Sequence, residues 1–151
     1  MPSVLFVCTA NICRSPMAKM LLGARVENEA DEWKIESAGT WALVGESVAL
    51  KVQEVLVKRN LDVSSHRARM VDLEILSQFN VILTMEQGHK EALQVEFAEL
   101  ASRIFMLSEM IGLKYDIKDP IGGPLYEFQE TAKEIDRIIG EGFEKIKQLA
   151  T

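Results

Sequence analysis

The chain's two cysteines, Cys8 and Cys13, lie five positions apart in the stretch Cys8-Thr9-Ala10-Asn11-Ile12-Cys13-Arg14-Ser15. An arginine follows Cys8 by six positions, and Ser15-Pro16 comes next. Each piece has a use in handling a phosphoryl group. A compact loop that runs into a helix N-terminus can turn several backbone N–H groups inward as an anion nest. The helix dipole adds roughly half a positive charge at that end. Arg14 offers a planar fork of donors to two phosphate oxygens at once. The same positive field favours a thiolate at Cys8, the form of cysteine that attacks phosphorus, and Ser15 can donate its hydroxyl to that sulfur. Taken alone, a Cys-x5-Arg spacing is unspecific, because a cysteine at a strand end is commonly a small core residue. The elements around it decide. The stretch is also distinct from the other phosphate loop, since no G-x-x-x-x-G-K-[ST] occurs.

Those elements alternate. Val4-Leu5-Phe6-Val7 is a continuous apolar run, expected of a strand buried on both faces of a parallel sheet, and it stops at Cys8. Ser15 reads as a helix N-cap with Pro16 at the first helical position. Met17, Met20, Leu21 and Ala24 then give the core stripe of an amphipathic helix. Further strands are expected at 34–37, 81–85 and 103–107, with Ala38-Gly39-Thr40 as a turn after the second. Val48, Val52, Val55 and Leu56 predict a helix that runs out near Asn60, followed by a short helix over 71–78 and a helical stretch over 87–100. Beyond a Gly/Pro-rich loop over 108–124, Phe128, Ala132, Ile135, Ile139, Phe143 and Ile146 line one face of a closing helix. Gly140 and Gly142 weaken or bend it, each at roughly 1 kcal/mol relative to Ala.

Strands separated by helices imply right-handed βαβ units. The expected fold is α/β: one domain over 1–151, a small doubly wound four-stranded parallel sheet with helices on both faces, of flavodoxin-like or Rossmann-like topology. Ligands of such sheets bind beyond the carboxyl ends of the strands, at the switch point, and the loop after Cys8 lies at the first such end.

Composition narrows the function. The 17 basic residues against 23 acidic ones leave a net charge of −6, a poor match to non-specific nucleic-acid binding. No run approaches the ~18 apolar residues of a membrane span, and no signal peptide is visible, so a cytoplasmic, reducing setting is expected. Two cysteines are too few for a disulfide scaffold. Neither they nor His66 and His89 have a zinc spacing, so no metal or cofactor is expected.

With these residues in place, Val7-Cys8-Thr9-Ala10-Asn11-Ile12-Cys13-Arg14-Ser15-Pro16-Met17-Ala18 resembles the signature of the low-molecular-weight protein tyrosine phosphatases. The resemblance runs along the chain. Ser37-Ala38-Gly39-Thr40 is similar to the family's segment after its second strand, Ser65-His66-Arg67-Ala68-Arg69 resembles its S-x-H-x-A-R stretch, Val81-Ile82-Leu83-Thr84-Met85 its third strand, and Asp119-Pro120 its late Asp-Pro. Four matches in order are more specific than any one of them.

The resemblance implies that Cys8 forms a phosphocysteine while Arg14 binds the phosphoryl oxygens, within a loop made of Thr9, Ala10, Asn11, Ile12, Cys13 and Ser15. It implies Asp119 as general acid and then base, and a phenolate leaving from phosphorus does benefit from a positioned proton donor. Asp116 is the competing acid but lacks the following proline, which biases Asp119 toward extended backbone. Asn11, Ser15, Ser37 and His66 resemble a network that supports the loop, while His89 matches no motif and reads as solvated. Cys13 resembles the second loop cysteine, implying a redox guard that traps an oxidised Cys8 as a disulfide. Packing beneath the loop is its other reading. The implied partner is a phosphotyrosine protein or peptide, met by a monomer, without nucleic acid or membrane.

The substrate slot departs from the family pattern. No aromatic residue follows Asp119-Pro120; the wall there must come from Ile121 or be supplied by Tyr126. Trp41 is expected to flank the slot, while Leu43 occupies a place that is often aromatic. Asp119-Pro120-Ile121-Gly122-Gly123 is more like the protein arginine phosphatases, a branch of the same family, but that branch carries Thr where this chain has Ile12. Ile12 favours an aryl ester over phosphoarginine. Arsenate reductases of this fold need further cysteines that are absent here. A phosphocysteine carrier or a thiol switch would not need Arg14 and Asp119 together.

Overall fold

A computed structural model describes residues 1–151. Four strands, β1 (Ser3–Cys8), β2 (Lys34–Gly39), β3 (Val81–Thr84) and β4 (Ile104–Met106), form one sheet in the order β2-β1-β3-β4 with every pairing parallel. The doubly wound four-stranded sheet is therefore present, and the chain reverses direction across it between β1 and β3, where a switch-point ligand belongs.

Every residue of β1 is buried, as its unbroken apolar run requires. Its side chains alternate. Val4, Phe6 and Cys8 face the larger core, shared with α1 (Arg14–Arg25), α2 (Leu50–Val57), α5 (Leu125–Glu141) and α6 (Phe143–Ala150). Leu5 and Val7 face a smaller core under α3 (Leu73–Ser77) and α4 (Gln87–Glu96). This two-residue period aims Cys8 to the side of the sheet on which α1 begins.

Several boundaries differ from expectation. The first helix starts at Arg14, with Cys13 as its flanking residue and no side-chain cap, so Ser15 is not the N-cap and Pro16 is not the first helical position. The loop starts this helix, and Ser15 uses its hydroxyl elsewhere. The strand β2 continues through Ala38 and Gly39, because both pair with the end of β1 (Val7 with Ala38, Cys8 with Gly39). The stretch over 87–100 ends as α4 at Glu96 and passes into 3-10 turns, and β4 holds three residues. The closing helix divides at Gly142, where a Cβ would collide with Met110. No helix is long and apolar enough to cross a membrane.

Candidate active site

The loop after β1 turns its carbonyls outward one after another. The oxygens of Cys8, Thr9 and Ala10 accept from the amides of Thr40, Trp41 and Leu43. The Asn11 oxygen accepts from His66 Nε2 at 2.7 Å, that of Ile12 from the Ala49 amide at 3.0 Å, and that of Cys13 from the Met17 amide at 3.1 Å. The N–H groups of residues 9–13 donate to no protein acceptor. Asn11 and Cys13 are buried, Ala10 and Ile12 half-buried and only Thr9 exposed, and such a loop does not leave five consecutive donors unused without reason. With six carbonyls drawn outward, the amides face the loop's own centre, where they can hold a multiply charged anion.

Asn11 makes that shape possible. Its φ of 59° lies in the left-handed region, which asparagine tolerates better than most residues. The side chain is fully buried and fully used: Nδ2 donates to Ser15 Oγ (2.8 Å) and Ser37 Oγ (3.0 Å), and Oδ1 accepts from the Arg69 amide (3.0 Å). Gly39 makes room beside it, since a Cβ there would strike the Thr9 carbonyl and crowd Asn11. Burial lowers the pKa of His66 below its ordinary value, and its Nε2–H donates to Asn11 in either protonation state.

Cys8 Sγ lies 3.0 Å from Ser15 Oγ. The Asn11 amide already donates to that oxygen, so the single Ser15 proton goes either to the Ala38 carbonyl at 3.4 Å or to the nearer sulfur, the bond a thiolate needs. Cys13 is buried beneath the loop with a free thiol. Burial pushes its pKa up, and Asp119 and Cys8 add to the effect, so Cys13 holds its proton.

Arg14 is only 1% exposed, and a buried guanidinium must have partners. Its Nη1 donates to Glu86 Oε2 and to the Ile117 carbonyl, both at 2.6 Å. That nitrogen is occupied, which leaves Nε and Nη2 as the edge available to a ligand. Nη2 lies 3.8 Å from Asp119 Oδ2.

Asp119 stands in the loop after β4, half exposed, with its other oxygen accepting from the Ile121 amide at 3.0 Å. Asp116 is turned away from this work, because its Oδ1 accepts from the Gln87 amide at 2.8 Å. Trp41 is 77% exposed and Ile121 is exposed as well, while Pro120 is buried and Ile12 half-buried. Trp41 sits beside the loop, its backbone N–H donating to the Thr9 carbonyl at 2.9 Å.

Of the expected residues, Cys8, Thr9 to Cys13, Arg14, Ser15, Ser37, His66 and Asp119 converge on one place. Two further participants lie outside the sequence expectation. Glu86, just after the carboxyl end of β3, holds Arg14, and its position at the switch point is the signal that marks it. His89 is not solvated; it is buried, with Nε2 2.8 Å from Thr9 Oγ1 and Nδ1 accepting from the Glu86 amide. The first turn of α4 folds it back over the phosphate loop. No group of three or more His, Cys, Asp or Glu side chains is arranged to hold a metal ion.

A cysteine and an arginine in a loop of inward amides, at the switch point of a parallel sheet, define a cysteine-dependent phosphatase site. The sequence profile of the low molecular weight phosphotyrosine protein phosphatases matches residues 3–150, and the chain belongs to that family. It is similar to a protein-arginine-phosphatase of Geobacillus stearothermophilus, 31% identical over 95% of each chain. It is likewise similar to a probable low molecular weight protein-tyrosine-phosphatase of Ralstonia nicotianae, 32% identical over 97% of each. Among solved structures, a low molecular weight protein tyrosine phosphatase from T. tengcongensis superposes with a TM-score of 0.91 at 38% identity, covering 96% of this chain and 99% of that one.

Proposed function

We propose that residues 1–151 act as one phosphatase domain that hydrolyses protein phosphotyrosine through a phosphocysteine at Cys8. The observation that carries this reading is the loop itself: five free amides and the open edge of Arg14 surround a sulfur held by Ser15. A phosphoryl dianion fits those donors. Cys8 attacks phosphorus, the S–P bond forms as the P–O bond to the tyrosine breaks, and Asp119 protonates the leaving oxygen. In the second step water attacks the phosphocysteine, Asp119 takes a proton from it, the S–P bond breaks, and phosphate leaves with Cys8 again a thiolate. Arg14 and the amides follow the charge through both steps, where preorganised donors contribute most.

Trp41 and Ile12 support an aryl ester, an exposed indole beside the loop and an apolar side chain within it. Pro120 and Ile121 would complete the slot. The turn Asp119-Pro120-Ile121-Gly122-Gly123 favours a second reading, protein arginine phosphatase, which the Geobacillus relative is named as. The further reading is a monomer in the cytoplasm that uses no metal or cofactor and in which Cys13 guards Cys8 by disulfide formation; two free, buried thiols at the two ends of one short loop fit such a compartment and such a role.

The test is hydrolysis of para-nitrophenyl phosphate in EDTA by wild type and Cys8→Ser. Turnover by wild type and none by Cys8→Ser is expected; equal rates would refute the mechanism. Specificity is read from kcat/KM on phosphotyrosine and phosphoarginine peptides, with Ile12→Thr beside wild type. Wild type should prefer phosphotyrosine, and a preference for phosphoarginine would replace the first reading by the second.

A further inference from the structure

His89 lies on the first turn of α4, buried against the residue that follows the cysteine. Each ring nitrogen has a partner. Nδ1 is 3.2 Å from the Glu86 backbone nitrogen and Nε2 is 2.8 Å from Thr9 Oγ1. A backbone amide only donates, so Nδ1 carries no proton and the neutral ring holds its proton on Nε2. That proton is donated to Thr9 Oγ1. Glu86 Oε2 stands 3.9 Å from the same nitrogen and 2.6 Å from Arg14 Nη1. One imidazole therefore joins the cysteine end of the loop to the carboxylate that holds the arginine.

Four charged groups act on the ring: Glu86 at the start of its own helix, Arg14 of α1, and Asp116 and Asp119 of the loop after β4. Burial outweighs the three acids and, with Arg14, keeps His89 neutral to lower pH than a free histidine. A second proton, placed on Nδ1, would set two N–H donors against each other at the Glu86 amide.

We propose that His89 is a positioning residue that, as a neutral Nε2–H imidazole, locks Thr9 to the Glu86 end of α4 and so fixes the nucleophile's side of the loop relative to Arg14. This rests on the reading of residues 8–15 as the phosphate site and adds a residue which that reading does not contain.

Asparagine and glutamine divide the two bonds. The shorter carboxamide of H89N reaches where Nδ1 lies but not to Thr9, whereas H89Q carries an N–H to the place of Nε2 and cannot titrate. On para-nitrophenyl phosphate, H89N and Thr9→Val should each lower kcat/KM about tenfold, the size of one lost side-chain hydrogen bond at a site. The double variant should be no worse than either, because both remove the same bond. H89Q should stay within about threefold of wild type, and the lower part of its acid limb should lose about one proton of slope, since residue 89 no longer titrates. A loss of stability alone would not change that slope.

Nitrogen-15 NMR of the free wild-type protein supplies the second measurement, with a neutral His89 expected to show the Nε2–H tautomer. An Nδ1–H tautomer, additive losses of about a hundredfold in the double variant, or an unchanged slope in H89Q would each overturn the proposal. Should H89N fail to fold, Thr9→Val, H89Q and the tautomer still decide. The tautomer is measured without turnover, so its failure is distinct from failure of the phosphatase reading, which the Cys8→Ser assay addresses.

Discussion

The two loops that meet at the site are built in opposite ways. Residues 8–15 are held at every carbonyl from Cys8 to Cys13, and Asn11, Arg14 and Ser15 are almost wholly buried. The loop carrying Asp119 is exposed on both sides of Pro120. It is secured by the Asp119 Oδ1 bond to the Ile121 amide, a turn closed by Gly123 N–H on the Pro120 carbonyl at 2.9 Å, and Lys51 Nζ on the Gly123 carbonyl at 2.7 Å. Gly122 at φ 89° permits that turn. The difference matches the two tasks. Charge that develops on a phosphoryl group is best met by donors already fixed in place. A proton donor must instead let a substrate enter before it closes on the leaving oxygen.

Breaking the fixed half should cost activity on every substrate alike. Arg14→Lys retains the charge but loses the planar fork and the shared bonds to Glu86 and Ile117, and kcat/KM should fall by about 10²–10³. Steady-state kinetics with para-nitrophenyl phosphate checks this, and near-wild-type activity would mean that charge alone suffices.

Breaking the open half should show a dependence on the leaving group. Asp119→Ala should slow turnover of poor leaving groups by about 10²–10⁴ and of good ones much less. Equal slowing across a series of aryl phosphates would remove Asp119 from the acid role.

Gly39→Ala attacks the fixed loop from the neighbouring strand. Its Cβ has no room between the Thr9 carbonyl and Asn11, and neither can yield easily because both are bonded on their far sides. A loss of about 1–3 kcal/mol in denaturant unfolding is expected, the usual cost of overpacking, together with reduced activity. The same substitution at Gly88, where a Cβ meets nothing, should leave activity intact.

The smallest effect is on stability against pH. His66 and His89 both have pKa values lowered from the ordinary 6.5, chiefly by burial. The unfolded chain therefore takes up protons first as pH falls, and unfolding free energy should drop below about pH 6.5 while these groups add no slope above it. Thermal unfolding across pH 5–8 reads this (roughly the range in which histidine titrates), and His66→Gln should flatten the curve.

How much of this is legible in the sequence follows from how far apart the cooperating residues lie. Cys8, Arg14 and Ser15 stand within one loop, and the strand before and helix after announce its place. The parallel sheet follows from the alternation of apolar strands and amphipathic helices. Glu86 and His89 reach the site only because β3 lies beside β1, a pairing that no local pattern states. A histidine on a helix without a motif reads as solvated, and only the packing of α4 against Thr9 shows otherwise. Ser15 misleads for a related reason. Serine before proline is a common helix cap, but here Cys13 flanks the helix start and the Ser15 hydroxyl lies 3.0 Å from Cys8 Sγ. Gly39 reads locally as a turn residue, and its true constraint, contact with Thr9, comes from the register of β1 on β2.

The central claim is that Cys8 carries the phosphoryl group between two steps. Asp119→Asn should slow the water step and let that species accumulate, so rapid acid quench of this variant during turnover of para-nitrophenyl phosphate, followed by peptide mass analysis, tests it most directly. One added phosphoryl group is expected on the peptide that contains Cys8, absent in the variant that also bears Cys8→Ala. Turnover with no phosphorylated Cys8, or with the group on another residue, would contradict it.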